Sequence, residues 1–325
     1  MSAPRLVAVV VTHDRLAQIE VTLARLLAGP LDHVVVVDNA SNDGTPAFLA
    51  AQSDPRLHVI RTARNLGGAG GFELGMRTAV ARFDPDWLVV MDDDARPDPG
   101  ALAAFLARDL AGVDALAAAV YHPDGRICEM NRPSRNPFGS LRVLARTLFG
   151  GGRMGFHLPD SAYEGRARQV DVASFVGLFL SRRAIRAAGY PDGRMFLYAD
   201  DAIYTLGLTK RGLRLWFAPD IRFSHDCSTF APHPTGAARV YRPLWKVYYN
   251  YRNGLILYRQ TAGLFFWPAL LVVLPKWALS GRHYGADRRA FYGLLGRAIR
   301  DGGRGRGPAP GGGSRGGGGR GARRM

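Results

Sequence analysis

Cysteine is scarce in this chain: Cys128 and Cys227 are the two among 325 residues. Two cysteines build no disulfide framework, and their spacing gives no zinc pattern, so a reducing compartment is expected. Long apolar runs are missing as well. No uninterrupted apolar stretch reaches the roughly 18 residues that a membrane span needs. At the N-terminus, Leu6–Val11 is too short for the apolar region of a signal peptide and leads straight into Thr12-His13-Asp14. That first strand-to-helix turn lacks glycine, which excludes a dinucleotide fingerprint; Gly-Lys-Ser/Thr is absent, which excludes a P-loop. Acids are few beside bases, 27 against 43, for a net charge of +16. A surplus of this size implies an anionic partner: nucleic acid, an acidic membrane surface or a phosphorylated substrate.

What is present is an alternation of strand and helix signals. Apolar runs at Leu6–Val11, Val34–Val37, Leu57–Ile60 and Trp87–Met91 read as strands, and Leu16–Leu27 has helical apolar spacing. Thr45-Pro46 and Asp98-Pro99 have the pattern of an N-cap followed by a first-turn proline. A β-α-β-α order argues for an open, mainly parallel sheet with helices on both faces. Ligands of such sheets bind beyond the carboxyl ends of the strands. Thr12, Asp38, Arg64 and Asp92–Asp94 all follow strand ends and therefore fall on one rim. Tyr121–Arg168, rich in Gly, Pro and Arg, reads as long loops. Further on, Arg182–Ala188 and Asp200–Lys210 read as helices, and Leu215–Ala218 as a strand followed closely by His225.

Three boundaries follow. Residues 1–235 are expected to form the α/β unit. Residues 236–300 are helical and suited to a membrane interface, with Tyr and Trp mixed with Arg and Lys over Tyr241–Arg259 and an apolar stretch at Gly263–Pro275. Residues 301–325 are glycine with scattered arginine and cannot bury enough apolar surface to fold. That tail has no aromatic residue to stack on bases, so nucleic acid is not its expected partner.

Asp92-Asp93-Asp94 directly follow Trp87–Met91. Three acids at the end of a buried strand repel one another and are costly to desolvate. A cation is the natural reason to tolerate them, since carboxylates grip Mg²⁺ or Mn²⁺ and leave room for phosphate oxygens. The glycines of Arg64-Asn65-Leu66-Gly67-Gly68-Ala69-Gly70-Gly71 permit close approach of backbone to a ligand. Asp200-Asp201 open a helix, where acids either serve its dipole or supply a general base. His225 becomes a ligand candidate once a metal sits nearby.

Taken in order, Val9–Thr12, Val36–Thr45, Arg64–Gly68, Asp92–Asp94 and Tyr198-Ala199-Asp200-Asp201 resemble the family 2 glycosyltransferases of the GT-A fold. The resemblance covers roughly 6–228. Asn65–Phe72, the Asp200-Asp201 pair and a histidine 24 residues after Asp201 are similar, more narrowly, to actinobacterial galactofuranosyltransferases of cell-wall galactan synthesis. The resemblance implies that Thr12, Asp38 and Arg64 hold base and ribose, with Asn65 shaping the adjoining loop. It implies that Asp92 and Asp93 meet the nucleotide-sugar, and that Asp94 and His225 hold Mn²⁺ or Mg²⁺. Asp201 would be the catalytic base and Asp200 would orient the acceptor.

The segment before Asp200 lacks the tryptophan-rich stretch of the longer polymerising members, which favours an initiating or side-chain enzyme. The expected reaction is inverting transfer of a sugar from a nucleotide diphosphate donor, UDP-linked foremost, to a lipid-linked cell-envelope glycan. The expected location is the cytoplasmic face of the membrane, at an anionic surface. A rhamnosyl or other family 2 transferase is the alternative. A sugar nucleotidyltransferase would want a glycine-rich basic signature where Thr12-His13-Asp14-Arg15 stands, and a nucleic-acid-binding protein would not need the acids on the rim.

Overall fold

The computed structural model describes residues 4–149, 152–227 and 240–304. In chain order the elements are β1 (Leu6–Thr12), α1 (Leu16–Leu27), β2 (His33–Asp38), α2 (Thr45–Ala50), β3 (Leu57–Arg61), α3 (Gly67–Phe83), β4 (Trp87–Asp92) and β5 (Ala95–Pro97). Next come α4 (Ala101–Leu106), β6 (Ala115–Tyr121), α5 (Leu141–Phe149), β7 (Arg168–Gln169), β8 (Leu178–Ser181), α6 (Arg182–Ala188), α7 (Asp200–Lys210) and β9 (Leu215–His225). Three helices follow: α8 (Lys246–Ala262), α9 (Phe266–Ser280) and α10 (Arg288–Gly303).

The strands join in one mixed sheet, ordered β3-β2-β1-β4-β8-β6-β9-β5, with β7 beside β9. β3, β2, β1 and β4 are mutually parallel. β8 then runs antiparallel to both β4 and β6. Alternate residues of β1 feed opposite cores: Leu6, Ala8 and Val10 pack toward α1 and α4, while Val7, Val9 and Val11 pack toward α3 and α7. Burial on both faces is why these strands read as continuous apolar runs.

Several local expectations are corrected. Thr45 does not cap α2; its own backbone N–H is held by the Asp43 carboxylate at 2.9 Å, with Pro46 in the first turn. α4 starts after Gly100 at φ +84°, and the Asp98 carboxylate instead accepts from the Ser224 hydroxyl at 2.8 Å. β9 does not stop at Ala218. Its pairing with β6 jumps from Ala218 to Arg222, so Pro219, Asp220 and Ile221 bulge out and the strand resumes. His225 is therefore inside the strand. The glycines of α3 serve packing more than ligand approach: a Cβ at Gly71 or Gly75 would come within 2.5 Å of Val11 or Val9. At Gly68 alone in this group does a Cβ meet nothing within 4 Å, among the described residues.

The C-terminal helices divide in character. α8 docks on the catalytic unit, burying Val247, Tyr251, Arg252, Asn253 and Leu255, and shares a small core with Phe291, Leu295 and Ala298 of α10. α9 buries only Val273. Leu264, Trp267, Leu271 and Leu279 beside and along it are exposed by 96%, 73%, 80% and 60%, a contiguous apolar surface that water would not favour. The helical residues from Lys246 to Gly303 contain a window with mean hydropathy 1.6, enough by length and composition to cross a membrane. This exceeds the expected Gly263–Pro275, because the apolar character continues past Pro275 to Ser280 with Lys276 as the one charge. Gly263 and Gly285, both at φ +52°, break the helical path on either side. Between those breaks, residues 264–284 follow a helical path of 21 residues, about 31 Å, comparable to the roughly 30 Å hydrocarbon layer. The expected tail 301–325 starts too early, since residues 301–303 end α10 and Asp301 accepts from the Tyr248 hydroxyl at 2.9 Å; residues from 305 onward, and the expected boundary at 236, lie outside the described residues.

Candidate active site

Parallel register puts the expected polar residues side by side on one rim. Thr12 pairs with Asp38, and Val11 with Asp92. Asp38 is buried; one carboxylate oxygen accepts from the Ser41 backbone N–H at 2.9 Å. Its other oxygen faces the Arg61 guanidinium at 3.5 Å and has no hydrogen bond among the described residues. Such an acceptor is incomplete without a donor from elsewhere. Beside it opens a cleft of about 410 Å³, lined by Ala40, Ser41, Asn42, Arg61 and Thr62, within the size range of ligand pockets. Arg64 and Asn65 are exposed and follow its last lining residue, Ala63, in the chain. The loop that carries them is organised by Asn39, whose amide donates to Asn65 Oδ1 (3.1 Å) and Gly67 O (3.0 Å) and accepts from Leu66 N (2.8 Å).

The three acids separate in role. Asp93 turns to Arg15, whose Nη1 bridges it at 3.0 Å and Asp94 at 2.7 Å. Thr22 of α1 pins the turn by donating to the Asp93 carbonyl at 2.6 Å. Asp94 also accepts from His225 Nε2 at 3.0 Å, and His225 Nδ1 lies 2.7 Å from Asn131 Oδ1. β5–β9 pairing, which sets Ala95 opposite His225, brings histidine and acid together. Oxygens at both ring nitrogens suit an imidazolium when no cation is bound. Burial alone would lower the His225 pKa, but the Asp94 bond, the Cys128 contact and the charges of Asp94 and Asp92 push it up to about 10. Burial likewise opposes ionisation of Asp94, yet the His225 bond and charge, with Arg15, hold its carboxyl below the usual range.

Asp92, Asp94 and His225 offer one ligand atom each, all within 4.8 Å of one another. Two carboxylates and one imidazole fit a divalent ion of the Mn²⁺ or Mg²⁺ kind, the imidazole favouring Mn²⁺. Asp93 is outside this group. Behind it lie the free thiols Cys128 and Cys227, 3.7 Å apart. With His122 they form a second close cluster, one that spacing along the chain did not reveal.

Across the rim, Asp200 and Asp201 occupy the first turn of α7. The preceding loop is strained: Phe196, Tyr198 and Ala199 stand at φ +64°, +72° and +58°. Non-glycine residues in that region cost about 1–3 kcal/mol each and persist only where the surroundings impose them. Part of that imposition comes from α3, since Ala69 N donates to Phe196 O at 3.2 Å. Burial pushes the Asp201 carboxyl up to about 6, against the lowering effect of the Ala202 backbone N–H. Burial, then the charges of Asp201 and Asp92, raise Asp200 well above its ordinary value. The Asp92 charge reaches Asp200, so the acid loop and the metal-type cluster are neighbours on the rim.

Sequence reasoning missed Arg15, Asn39, Asn131 and Lys246. Lys246, in the first turn of α8, is held below its ordinary pKa by partial burial and by the nearby charge of Arg15. Two cations so placed favour a polyanion between them. Arg15 had a signal, as a base directly after a polar strand-end turn; the others act through tertiary contacts that local pattern does not encode.

Residues 7–163 match the family described as Glycosyl transferase family 2. The chain is 30% identical to galactofuranosyltransferase GlfT1 of Mycolicibacterium smegmatis over 297 residues, 88% of this chain and 92% of that one. It is 31% identical to galactofuranosyltransferase GlfT1 of Mycobacterium tuberculosis over 254 residues, 76% and 79% of the two chains. Among solved structures, the mannosyltransferase PcManGT from Pyrobaculum calidifontis, in complex with GDP-Man and Mn²⁺, superposes with a TM-score of 0.53 at 16% identity, covering 93% of this chain and 88% of that one. The last likeness bears on the fold alone.

Proposed function

The chain belongs to glycosyl transferase family 2 and is a glycosyltransferase, and from that premise we propose an inverting, metal-dependent galactofuranosyl transfer from a UDP-linked donor to a lipid-linked cell-envelope glycan. The observation that carries this reading is the close cluster of Asp92, Asp94 and His225, with Asp200 near enough to feel the Asp92 charge. The galactofuranosyltransferase relatives, aligned over most of this chain, support the choice of sugar.

Asp38, whose second oxygen has no hydrogen bond among the described residues, accepts from the base or ribose, and Thr12, Arg64 and Asn65 complete that subsite. Asp94 and His225 would hold Mn²⁺ or Mg²⁺, with Asp92 beside them in the same cluster. Asp93 keeps Arg15 in place, and Arg15 and Lys246 flank the diphosphate. When bound, the ion supplies neutralisation of the charge that grows on the departing diphosphate. Asp201 takes the proton of the acceptor hydroxyl. The acceptor oxygen bonds to the anomeric carbon from the side opposite the diphosphate, the carbon–oxygen bond to phosphate breaks, and the configuration inverts. Asp200, beside Asp201 at the start of α7, orients the acceptor.

The exposed apolar surface of α9 and the basic balance of the chain support a peripheral location at the cytoplasmic face. Incubation with a panel of UDP- and dTDP-sugars and a polyprenyl-diphosphate-linked acceptor, read as nucleotide release and product mass, tests the proposal. UDP release with a galactofuranosyl product is expected. Turnover of a dTDP-sugar in its place, or no acceptor-dependent release with any donor, would refute it.

A further inference from the structure

Helix α8 carries a fully buried polar pair, Arg252 and Asn253, that the chemistry above leaves unused. Neither is buried for want of space on the surface, since a guanidinium and an amide in a core must find hydrogen bonds to be tolerated. Their bonds converge on one segment. Asn253 Nδ2 donates to the carbonyls of Met195 (2.9 Å), Leu197 (2.9 Å) and Tyr198 (2.8 Å). Arg252 Nη2 donates to the carbonyls of Arg194 (2.8 Å) and Met195 (3.1 Å), and its Nε fixes the Asn253 amide at 2.8 Å. The guanidinium lies 5.4 and 5.2 Å from the ring centres of Tyr248 and Tyr249, and Tyr249 stacks on Phe196 at 4.8 Å. The target segment is the strained turn at Phe196, Tyr198 and Ala199, which ends where Asp200 begins.

We propose that Arg252 and Asn253 are positioning residues that clamp this turn and so set where the Asp200 and Asp201 carboxylates stand. The inference rests on reading Asp201 as the base. A turn with three left-handed non-glycine residues relaxes when its carbonyls are released. Asn253 suits the task because one primary amide reaches several carbonyls converging from a tight turn, while its oxygen is held by Arg252. Neither residue contacts the nucleotide subsite around Asp38. The clamp therefore acts on the step that uses the carboxylates and leaves donor binding alone.

The test uses the full chain carrying Asn253→Ala, with Asp201→Asn in parallel. For Asn253→Ala, kcat should fall by about 10²-fold, the cost of roughly 1 Å of misplacement, while UDP affinity by calorimetry stays within about threefold. Its pH–rate profile should keep an acid limb with a midpoint displaced from that of wild type, because the carboxylate's surroundings have changed while proton removal still limits the rate. If Asn253→Ala does not fold, Arg252→Lys, which keeps the charge but loses the planar fork, is read in the same way with about a tenfold loss. Wild-type kcat in a folded clamp variant, or equal losses in kcat and UDP affinity, overturns the clamp. Wild-type kcat in Asp201→Asn overturns the assignment of the base instead, so the two failures are told apart.

Discussion

Replacing Gly67 by alanine should injure turnover more than donor binding, and the size of the injury follows from one contact. Gly67 stands at φ +73°, and a Cβ there would lie 2.2 Å from the Phe196 carbonyl oxygen and 2.7 Å from its ring. Ordinary contact begins near 3.4 Å, so the two segments must separate by about 1 Å. The left-handed backbone costs an L-residue about 1–2 kcal/mol. The Ala69 N–H to Phe196 O bond, 3.2 Å long, is stretched or lost for about 1 kcal/mol more. Together these amount to about 2–3 kcal/mol, or a fall in Tm of about 3–5 °C for a chain of this size. Because the Phe196 loop leads into Asp200-Asp201, a displacement of about 1 Å should lower kcat about 10²-fold. Differential scanning fluorimetry, UDP calorimetry and initial rates at saturating donor measure the three quantities. Gly68→Ala is the stability control, since a Cβ there meets nothing and alanine favours the helix. A kcat within threefold of wild type, together with a lowered Tm, would refute the link between this contact and the acid loop.

Asp201→Asn should bind donor nearly normally and lose about 10²–10⁴-fold in kcat, whereas Asp200→Asn should act on acceptor KM; normal turnover in Asp201→Asn would move the base elsewhere. The active form of Asp201 is the carboxylate and burial raises it to about 6, so kcat should climb as pH rises through about 6; a profile flat across that range contradicts the assignment. Asp94→Ala and His225→Ala should each weaken divalent-ion dependence in a folded protein, by several kcal/mol of leaving-group stabilisation; full wild-type activity in excess chelator would remove the metal from the scheme. Serine at Leu264, Trp267 and Leu271 together should lower binding to anionic liposomes at any salt, while deletion of 305–325 should matter only at low salt, each basic residue contributing about 1 kcal/mol; unchanged sedimentation of both variants would refute the peripheral reading.

The parallel half of the sheet was legible because buried strands announce themselves as apolar runs and their polar successors mark the rim. Thr12, Asp38 and Asp92 were placed correctly on that logic, and α1, α6 and α7 begin and end where pattern put them. Pro219 misled, since proline usually ends a strand, and here a bulge lets β9 continue to His225. The α3 glycines were misread because a sequence does not say whether a missing side chain makes room for a ligand or for Val9 and Val11. Tyr241–Arg259 has the composition of an interface, yet Tyr251, Arg252 and Asn253 are core residues. Composition cannot separate the two, because burial of a guanidinium depends on carbonyls supplied from far along the chain.

The position of α8 also bears on geometry outside the protein. One end of this helix holds the loop of the acid pair, and the other runs into Gly263 and the exposed apolar helix α9. From Asn253 to Gly263 is ten residues, a rise of about 15 Å. Whatever surface α9 meets, that rise ties the acid loop to it through one continuous helix, with no flexible linker between Asn253 and Ala262.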